Sequence, residues 1–285
     1  MKKLILIGSN GYLGSSFLNL YKNQYNFEIF LLFNQKLEDI NFDGIDIVLN
    51  CLTFVHQKIE HPYENYHEIN VDYPVKLANS SKQKGVKQIV FINTIAVYGE
   101  DKEKLDENTT YEPITQYGKS KLETEKQLLE LSDDSFIVSI IRQPIIYSKN
   151  APGNIRSLIK LIDRVLILSF GAIQNQRNFV YVGNLCAMMD CIIQTKSCGI
   201  FLVSDDVPLS TTKLIVLIAK AKNKKIYLLY VWLFEKILLW VKPSIYQRLF
   251  GSLIVDNSQT KAILNFKNPC SVDDGIQIMV QGEKE

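Results

Sequence analysis

The start of the chain constrains its fold most. An apolar run, Leu4-Ile5-Leu6-Ile7, leads into Gly8-Ser9-Asn10-Gly11-Tyr12-Leu13-Gly14, after which Leu13, Phe17, Leu20 and Tyr21 recur at helical spacing. A strand therefore turns directly into a helix through three glycines set three apart. Without side chains, Gly8 and Gly11 let the backbone turn tightly and approach a pyrophosphate, while Gly14 lets helix and strand pack closely. The helix N-terminus adds amide donors and the positive end of its dipole.

The alternation continues through the first half. Residues 28–33, 47–51, 88–93 and 137–141 read as short apolar strands, and 12–22, 71–84 and 120–131 as amphipathic helices, the pattern of a parallel sheet covered by helices. The predicted fold class is α/β, a Rossmann-type doubly wound parallel sheet with a smaller, mostly helical C-terminal domain. Residues 34–46 leave only thirteen positions between two strands, where a crossover with its helix needs about a dozen or more. A helix there is expected to be trimmed or absent. After Tyr147 the pattern loosens, and apolar helical stretches return at 155–168 and from Thr211 onward. Residues 1–150, with 179–205 returning to them, are expected to form the dinucleotide-binding domain, and 151–178 with 206–285 the substrate domain.

Composition narrows the partners. The 32 basic and 30 acidic side chains leave a net charge of +2, too little for the broad basic face that a nucleic-acid backbone requires. Five cysteines without a C-x-x-C pair suggest neither a disulfide framework nor a zinc site, and fit a reducing compartment. His56, His61 and His67 fall on different faces of any helix or strand, so no metal site is expected. The apolar run after Met1-Lys2-Lys3 stops at Gly8, short of an export signal, and a cytoplasmic location is expected. Residues 226–241, IYLLYVWLFEKILLWV, are too short and, with Glu235 and Lys236, too charged to span a bilayer. They read as a buried or surface-docked helix flanked by Lys224, Lys225 and Lys242.

Tyr117 and Lys121 stand four apart in YGKSK. With 14 tyrosines and 27 lysines in the chain, about one such pair is expected by accident, and Tyr98 with Lys102 supplies a second. Context separates the two. Residues 89–93 form a strand ending in the hydroxyl of Thr94, and Tyr117 follows 23 residues later at a helix start, whereas Tyr98 sits in the strand exit beside Gly99. A free phenol ionises near pH 10, but an ammonium one helical turn away favours the phenolate. Tyr117 can then exchange a proton with a hydroxyl or ketone whose oxygen Thr94 also holds.

Taken together, Gly8-x-x-Gly11-x-x-Gly14, Asn70-Val71-Asp72, Thr94-Ile95-Ala96-Val97-Tyr98-Gly99, Pro113 ahead of YGKSK, Arg142 after a strand, and Arg177-Asn178-Phe179-Val180-Tyr181-Val182 resemble the extended short-chain dehydrogenase/reductases. The likeness is to the NAD-dependent epimerase/dehydratase family acting on nucleotide sugars, and it covers nearly the whole chain. It implies Thr94, Tyr117 and Lys121 as catalytic residues and Asn70 as an organiser of helix geometry and proton relay. For the cofactor it implies Gly8, Asn10, Gly11, Tyr12, Leu13, Gly14, Asn34, Cys51 and Pro144, together with Tyr117 and Lys121. Residues 154–184, 201–209 and 249–256 look like a bacterial polysaccharide-cluster subgroup. There Arg177 would pair with the nucleotide diphosphate, Asn154 would bond it, Phe170 would line the base pocket and Thr94 would touch the sugar. A guanidinium fork suits diphosphate oxygens on physical grounds as well. The resemblance further implies a homodimer through helices 71–84 and 120–131.

Dehydratases of this family carry an acidic pair where Ile95 and Ala96 stand, and the epimerase-reductases that make GDP-fucose carry a cysteine in place of Ile95. What remains is redox chemistry at hexose C4. The expected reaction is reduction of a UDP-4-keto-6-deoxy-N-acetylhexosamine for surface polysaccharide synthesis, such as O-antigen. A UDP-hexose or UDP-N-acetylhexosamine 4-epimerase is the alternative, and a non-catalytic dinucleotide-binding protein a distant one. A carboxylate ending the second strand would select NAD, but Phe33, Asn34 and Gln35 stand there, followed by Lys36. The cofactor is therefore NADP or NAD, with a lean to NADPH.

Overall fold

A computed structural model describes residues 1–30, 37–52, 66–99, 102–149 and 153–282. Six parallel strands form its main sheet: β1 (Lys2–Ile7), β2 (Tyr25–Phe30), β3 (Ile47–Asn50), β4 (Gln88–Thr94), β5 (Ile137–Gln143) and β6 (Gly199–Leu202). Their order is β2-β1-β3-β4-β5-β6. Side chains alternate across a strand, so Leu4 and Leu6 enter one core with Phe17 and Leu185, while Ile5 and Ile7 enter another with Leu77 and Leu128. Burial on both faces explains why these strands read as unbroken apolar runs. Helix α1 (Tyr12–Tyr21) lies on one face, and α2 (Tyr73–Gln83) and α3 (Gln116–Glu130) lie on the other. The chain turns from β2 on one side of β1 to β3 on its other side. This reversal opens a crevice at the C-terminal ends of β1 and β3, where ligands bind in such sheets.

Several boundaries differ from those predicted. Leu20 is 50% exposed, because α1 directs Leu13, Gly14 and Phe17 inward instead. The helix predicted from residue 71 is preceded by a π-helical turn, Glu68–Asp72. The helix predicted from residue 120 begins at Gln116, since the Thr115 side chain accepts from the Gly118 amide at 3.0 Å and caps it there. Arg142 belongs to β5 rather than following it. Strand β2 starts at Tyr25, and residues 31–33 of its predicted span lie outside the described residues. Between β2 and β3 the described residues hold one 3-10 turn, Leu37–Asp39, and 31–36 lie outside them.

Beyond β5 come α4 (Asn154–Arg164), α5 (Val182–Thr195), α6 (Thr211–Ala221), α7 (Trp232–Val241), α8 (Pro243–Phe250), α9 (Ser258–Leu264) and α10 (Val272–Gln281). The chain returns to the sheet between them. Phe179–Tyr181 pairs with Ile145–Tyr147, α5 packs beside α1, and β6 closes the sheet against β5. Buried Asp205 fastens this return, accepting from the Tyr147 hydroxyl (2.6 Å), the Tyr181 amide and Asn184 (2.8 Å). The core around Leu4 and Phe17 runs on without a break into Ile155 and Ile162 of α4, Leu214 and Ile218 of α6, and Ile276 of α10.

Candidate active site

The turn after β1 is shaped by the lack of side chains. Gly8 has φ +82°, and a Cβ on it would lie 2.8 Å from the Leu52 amide nitrogen, while one on Gly14 would lie 2.4 Å from the Gly8 carbonyl oxygen. The Gly11 amide closes the turn on that carbonyl at 3.0 Å. No side chain caps α1, and its first turn holds no acidic residue, so the helix end suits an anion. These features fit a dinucleotide pyrophosphate. Asn10 is exposed on the loop, and Leu13 is buried beneath it. Cys51 leaves β3 at the same level, its amide bonded to the Ile7 carbonyl at 3.0 Å. Pro144 follows β5 directly and is buried. Asn34 lies outside the described residues, as do His56 and His61.

Thr94 ends β4, pairs in register with Gln143, and accepts from the Ala96 amide at 3.2 Å. The turn that follows, Ile95–Tyr98, presses against the start of α3. A Cβ on Gly118 would lie 2.7 Å from the Ala96 carbonyl oxygen. That close approach holds Tyr117, beside Gly118, next to the segment carrying Thr94. Tyr117 is partly exposed. One turn on, Lys121 is 1% exposed, its ammonium donating to the Ile92 carbonyl at 2.6 Å and lying 3.9 Å from the centre of the Phe91 ring. Burial pulls its pKa down to about 7, against the opposing pull of Glu125 and Cys51.

Electrostatics tie the two halves of the site together. Burial, then Tyr117 and Cys51, push the Tyr12 phenol up to about 12. Burial pushes the Cys51 thiol up to about 12 too, with Lys121 acting in the opposite direction. The glycine crevice and the start of α3 thus act on each other electrostatically, Tyr117 on Tyr12 and Lys121 on Cys51.

Asn70 is buried in the π-helical turn and donates to Ser120 Oγ at 3.2 Å, and Ser120 Oγ donates in turn to the Tyr117 carbonyl at 2.9 Å. Its own carbonyl accepts from Thr124. Asn70 thus grips the N-terminal half of α3 through the hydroxyls of Ser120 and Thr124. His67 bonds Glu123 (3.2 Å) and Asp72 (3.3 Å), and among the described residues no three metal-ligating side chains gather.

Behind the site lies a charged network that the sequence reading missed. Glu125, one turn after Lys121, is buried and accepts from Asn93 (2.6 Å) and from Nε of buried Arg142 (2.9 Å). Arg142 also donates to the Tyr98 hydroxyl, and its guanidinium carbon sits 4.8 Å and 4.5 Å from the rings of Tyr98 and Tyr111. Tyr98 is fully buried, while Lys102 turns away to Glu112 at 3.0 Å. The sequence signal for Glu125 is a carboxylate at the same four-residue step beyond Lys121.

A cavity of about 360 Å³ opens beyond Ile145, just past the end of β5. It brings together Asn154, Phe170 and Arg177, the three residues expected to meet the nucleotide. Leu158, Leu214 and Leu249 add apolar wall, and Arg248 of α8 adds a second guanidinium that nothing in the sequence had marked. Arg177 Nη1 donates to the carbonyls of Gly251 (3.1 Å) and Gln247 (3.2 Å), which orients its fork.

A glycine crevice, a Tyr-x-x-x-Lys helix and a cavity with two guanidinium groups past the end of β5 are the parts of an NAD(P)-linked enzyme of the short-chain dehydrogenase/reductase type. Residues 4–203 match the NAD dependent epimerase/dehydratase family, and the chain belongs to it. A UDP-glucose 4-epimerase of Vibrio cholerae is 33% identical, with 98% of this chain and 95% of that protein aligned. The N-acetyl-alpha-D-glucosaminyl-diphospho-ditrans,octacis-undecaprenol 4-epimerase of Escherichia coli O157:H7 is 28% identical over 78% of this chain and 73% of its own. Among solved structures, the dTDP-4-dehydrorhamnose reductase of Bacillus anthracis in complex with NADP superposes with a TM-score of 0.78 over 98% of both chains at 22% identity, a likeness of fold. No helix among the described residues is long and apolar enough to cross a membrane.

Proposed function

We propose that the protein carries out NAD(P)-linked redox chemistry at C4 of a hexose held by a uridine diphosphate, and that it runs this chemistry as a 4-epimerase. The observation that carries the redox reading is the packing of Gly118 against the Ala96 carbonyl, which sets Tyr117 beside the turn after Thr94 with Lys121 buried one turn on, while a cavity with two guanidinium groups opens past the end of β5. In this reading Gly8, Gly11, Gly14 and the start of α1 hold the pyrophosphate, and Cys51 and Pro144 flank the rest of the cofactor. The bound dinucleotide supplies hydride acceptance and donation. Tyr117 exchanges the proton at the C4 oxygen, Thr94 bonds the same oxygen, and Lys121 sustains the phenolate. Asn70 keeps Tyr117 in place through Ser120. Arg177 and Arg248 take the diphosphate, with Asn154 beside them and Phe170 under the base.

The epimerase form draws its support from the 33% identity to the Vibrio cholerae enzyme along nearly the whole chain. The 4-keto reductase form retains one specific support, the absence of a carboxylate at Phe33, Asn34 and Gln35. The Escherichia coli relative is named for a sugar on a lipid diphosphate, and a diphosphate is what this donor and UDP share. A two-helix dimer through α2 and α3 is part of the proposal.

One experiment separates these readings. The purified protein is given UDP-GlcNAc, UDP-glucose or a polyprenyl-diphosphate GlcNAc without added cofactor, and separately a UDP-4-keto sugar with NADPH. Conversion of a UDP-sugar to its C4 epimer supports the proposal. Stoichiometric NADPH consumption with no epimerisation moves the assignment to the reductase. Activity only on the polyprenyl donor overturns the nucleotide-sugar assignment.

A further inference from the structure

Helix α7 is apolar on nearly every side. From Trp232 to Val241 only Glu235 and Lys236 are polar, and none of its residues is buried. Trp232, Leu233, Ile237 and Trp240 are 51–91% exposed, and Tyr227 and Tyr230 just ahead of it are both 61% exposed. A helix hydrophobic all round belongs in a core or against lipid, and a contiguous exposed apolar face marks an interaction site.

Charge identifies what covers it. Between residues 220 and 250 the chain carries seven basic side chains and one carboxylate, Glu235, whereas the rest carries 25 basic and 29 acidic ones. Lys236 Nζ lies 5.3 Å from the centre of the Trp232 ring. Lys222 is set against Asp163 at 3.0 Å, Lys224 donates to the carbonyls of Ile162 and Asp163 and Arg248 lines the cavity, yet Lys220, Lys225, Lys236 and Lys242 still outnumber Glu235 in this stretch of a chain whose remainder is negative. Cores of protein–protein interfaces are depleted in lysine. Lysine bordering tryptophan and tyrosine is what an anionic lipid surface favours, with stems buried and ammonium groups on phosphates. At about 1.5 Å per residue, the ten residues of α7 cover only about half a bilayer core of about 30 Å, so the helix lies along the surface.

We propose that this face docks the protein peripherally on an anionic lipid bilayer, with α7 in the plane of the interface and Trp232 and Trp240 among the headgroups. Phe234 of α7 packs on Phe170 (ring centres 5.8 Å apart), and α8 supplies Ile245, Arg248 and Leu249 to the cavity wall. Docking therefore sets the sugar-diphosphate cavity against the lipid surface. The docking itself does not depend on which sugar the cavity takes.

The chain offers a direct probe, because its two tryptophans are Trp232 and Trp240. The full chain is titrated with vesicles of phosphatidylglycerol and phosphatidylethanolamine, and with vesicles of phosphatidylcholine alone. Tryptophan emission is expected to shift blue and the protein to float with the anionic vesicles, less so at high salt. Combining Trp240→Ser with Lys242→Glu should weaken binding about tenfold or more while leaving the melting temperature unchanged. No shift and no flotation on anionic vesicles overturns the proposal. So does a chain that is dimeric without lipid and becomes monomeric on Trp240→Ser, which would assign the face to a second copy. Neither readout involves turnover, so failure here leaves the C4 reading standing.

Discussion

The ammonium of Lys121 donates to the Ile92 carbonyl at 2.6 Å, turned into the sheet. Its folded pKa of about 7 lies below the ordinary 10.5, so between those values the unfolded chain binds the extra proton, and stability gained from this site increases with pH. The slope is at most about 1.4 kcal/mol per pH unit. Lys121→Met removes that term. The variant should be more stable than the parent at pH 6, and the gap should narrow as pH rises toward 9, read by urea unfolding, while turnover is lost. Parallel pH curves for the two proteins would contradict the buried-ammonium account.

The two tyrosines of the Tyr-x-x-x-Lys pairs should part company on substitution. Tyr117→Phe is expected to cut kcat by about 10² to 10⁴ with little change in melting temperature, since Tyr117 is only partly buried. Tyr98→Phe leaves a buried Arg142 donor without its hydroxyl, costing about 1.5–3 kcal/mol with turnover within a few-fold of the parent. Steady-state kinetics and thermal unfolding on both variants check the pair; equal kinetic losses would mean that the spacing argument misassigned them.

The sheet and the Tyr117 helix were legible because both leave short-range signals: the unbroken apolar run of a strand buried on both faces, and the four-residue step from Tyr117 to Lys121. The glycine turn was legible because it sits between a strand and a helix. Glu125 was not, since a carboxylate in a helix rich in charge reads as solvent-facing even one turn past Lys121. Its burial depends on Arg142, 17 residues away on β5, and on Asn93 of β4. Arg248 was hidden similarly, as only the path of α8 past α4 and α6 brings it to the cavity wall. Leu20 shows the converse error, an apolar residue at roughly helical spacing that falls just outside the buried stripe.

The Glu125–Arg142 pair is fully enclosed, so breaking it strands a charge. Glu125→Leu should cost about 3–5 kcal/mol, and adding Arg142→Met to it should recover part of that loss. Glu125 also holds the Lys121 pKa up against burial. Glu125→Gln should therefore start the pH-dependent rise in stability below pH 7. Urea midpoints across pH for the single and double variants test both effects, and a double variant no better than Glu125→Leu would refute the stranded-charge argument.

Gly118 joins the segments of Thr94 and Tyr117, the two proposed to be catalytic. Its missing Cβ leaves room for the Ala96 carbonyl at 2.7 Å and the Pro113 ring at 3.1 Å, and neither neighbour is a flexible side-chain end. Gly118→Ala should therefore wedge the start of α3 away from the turn after Thr94. A displacement of about 1 Å can cost on the order of 10² in rate. The cavity of Asn154, Arg177 and Arg248 and the Gly8–Gly14 turn lie on other elements, so KM and dinucleotide affinity should stay within a few-fold. A variant that keeps its kcat but loses substrate affinity would show that Gly118 serves the cavity rather than the alignment of Tyr117 with Thr94.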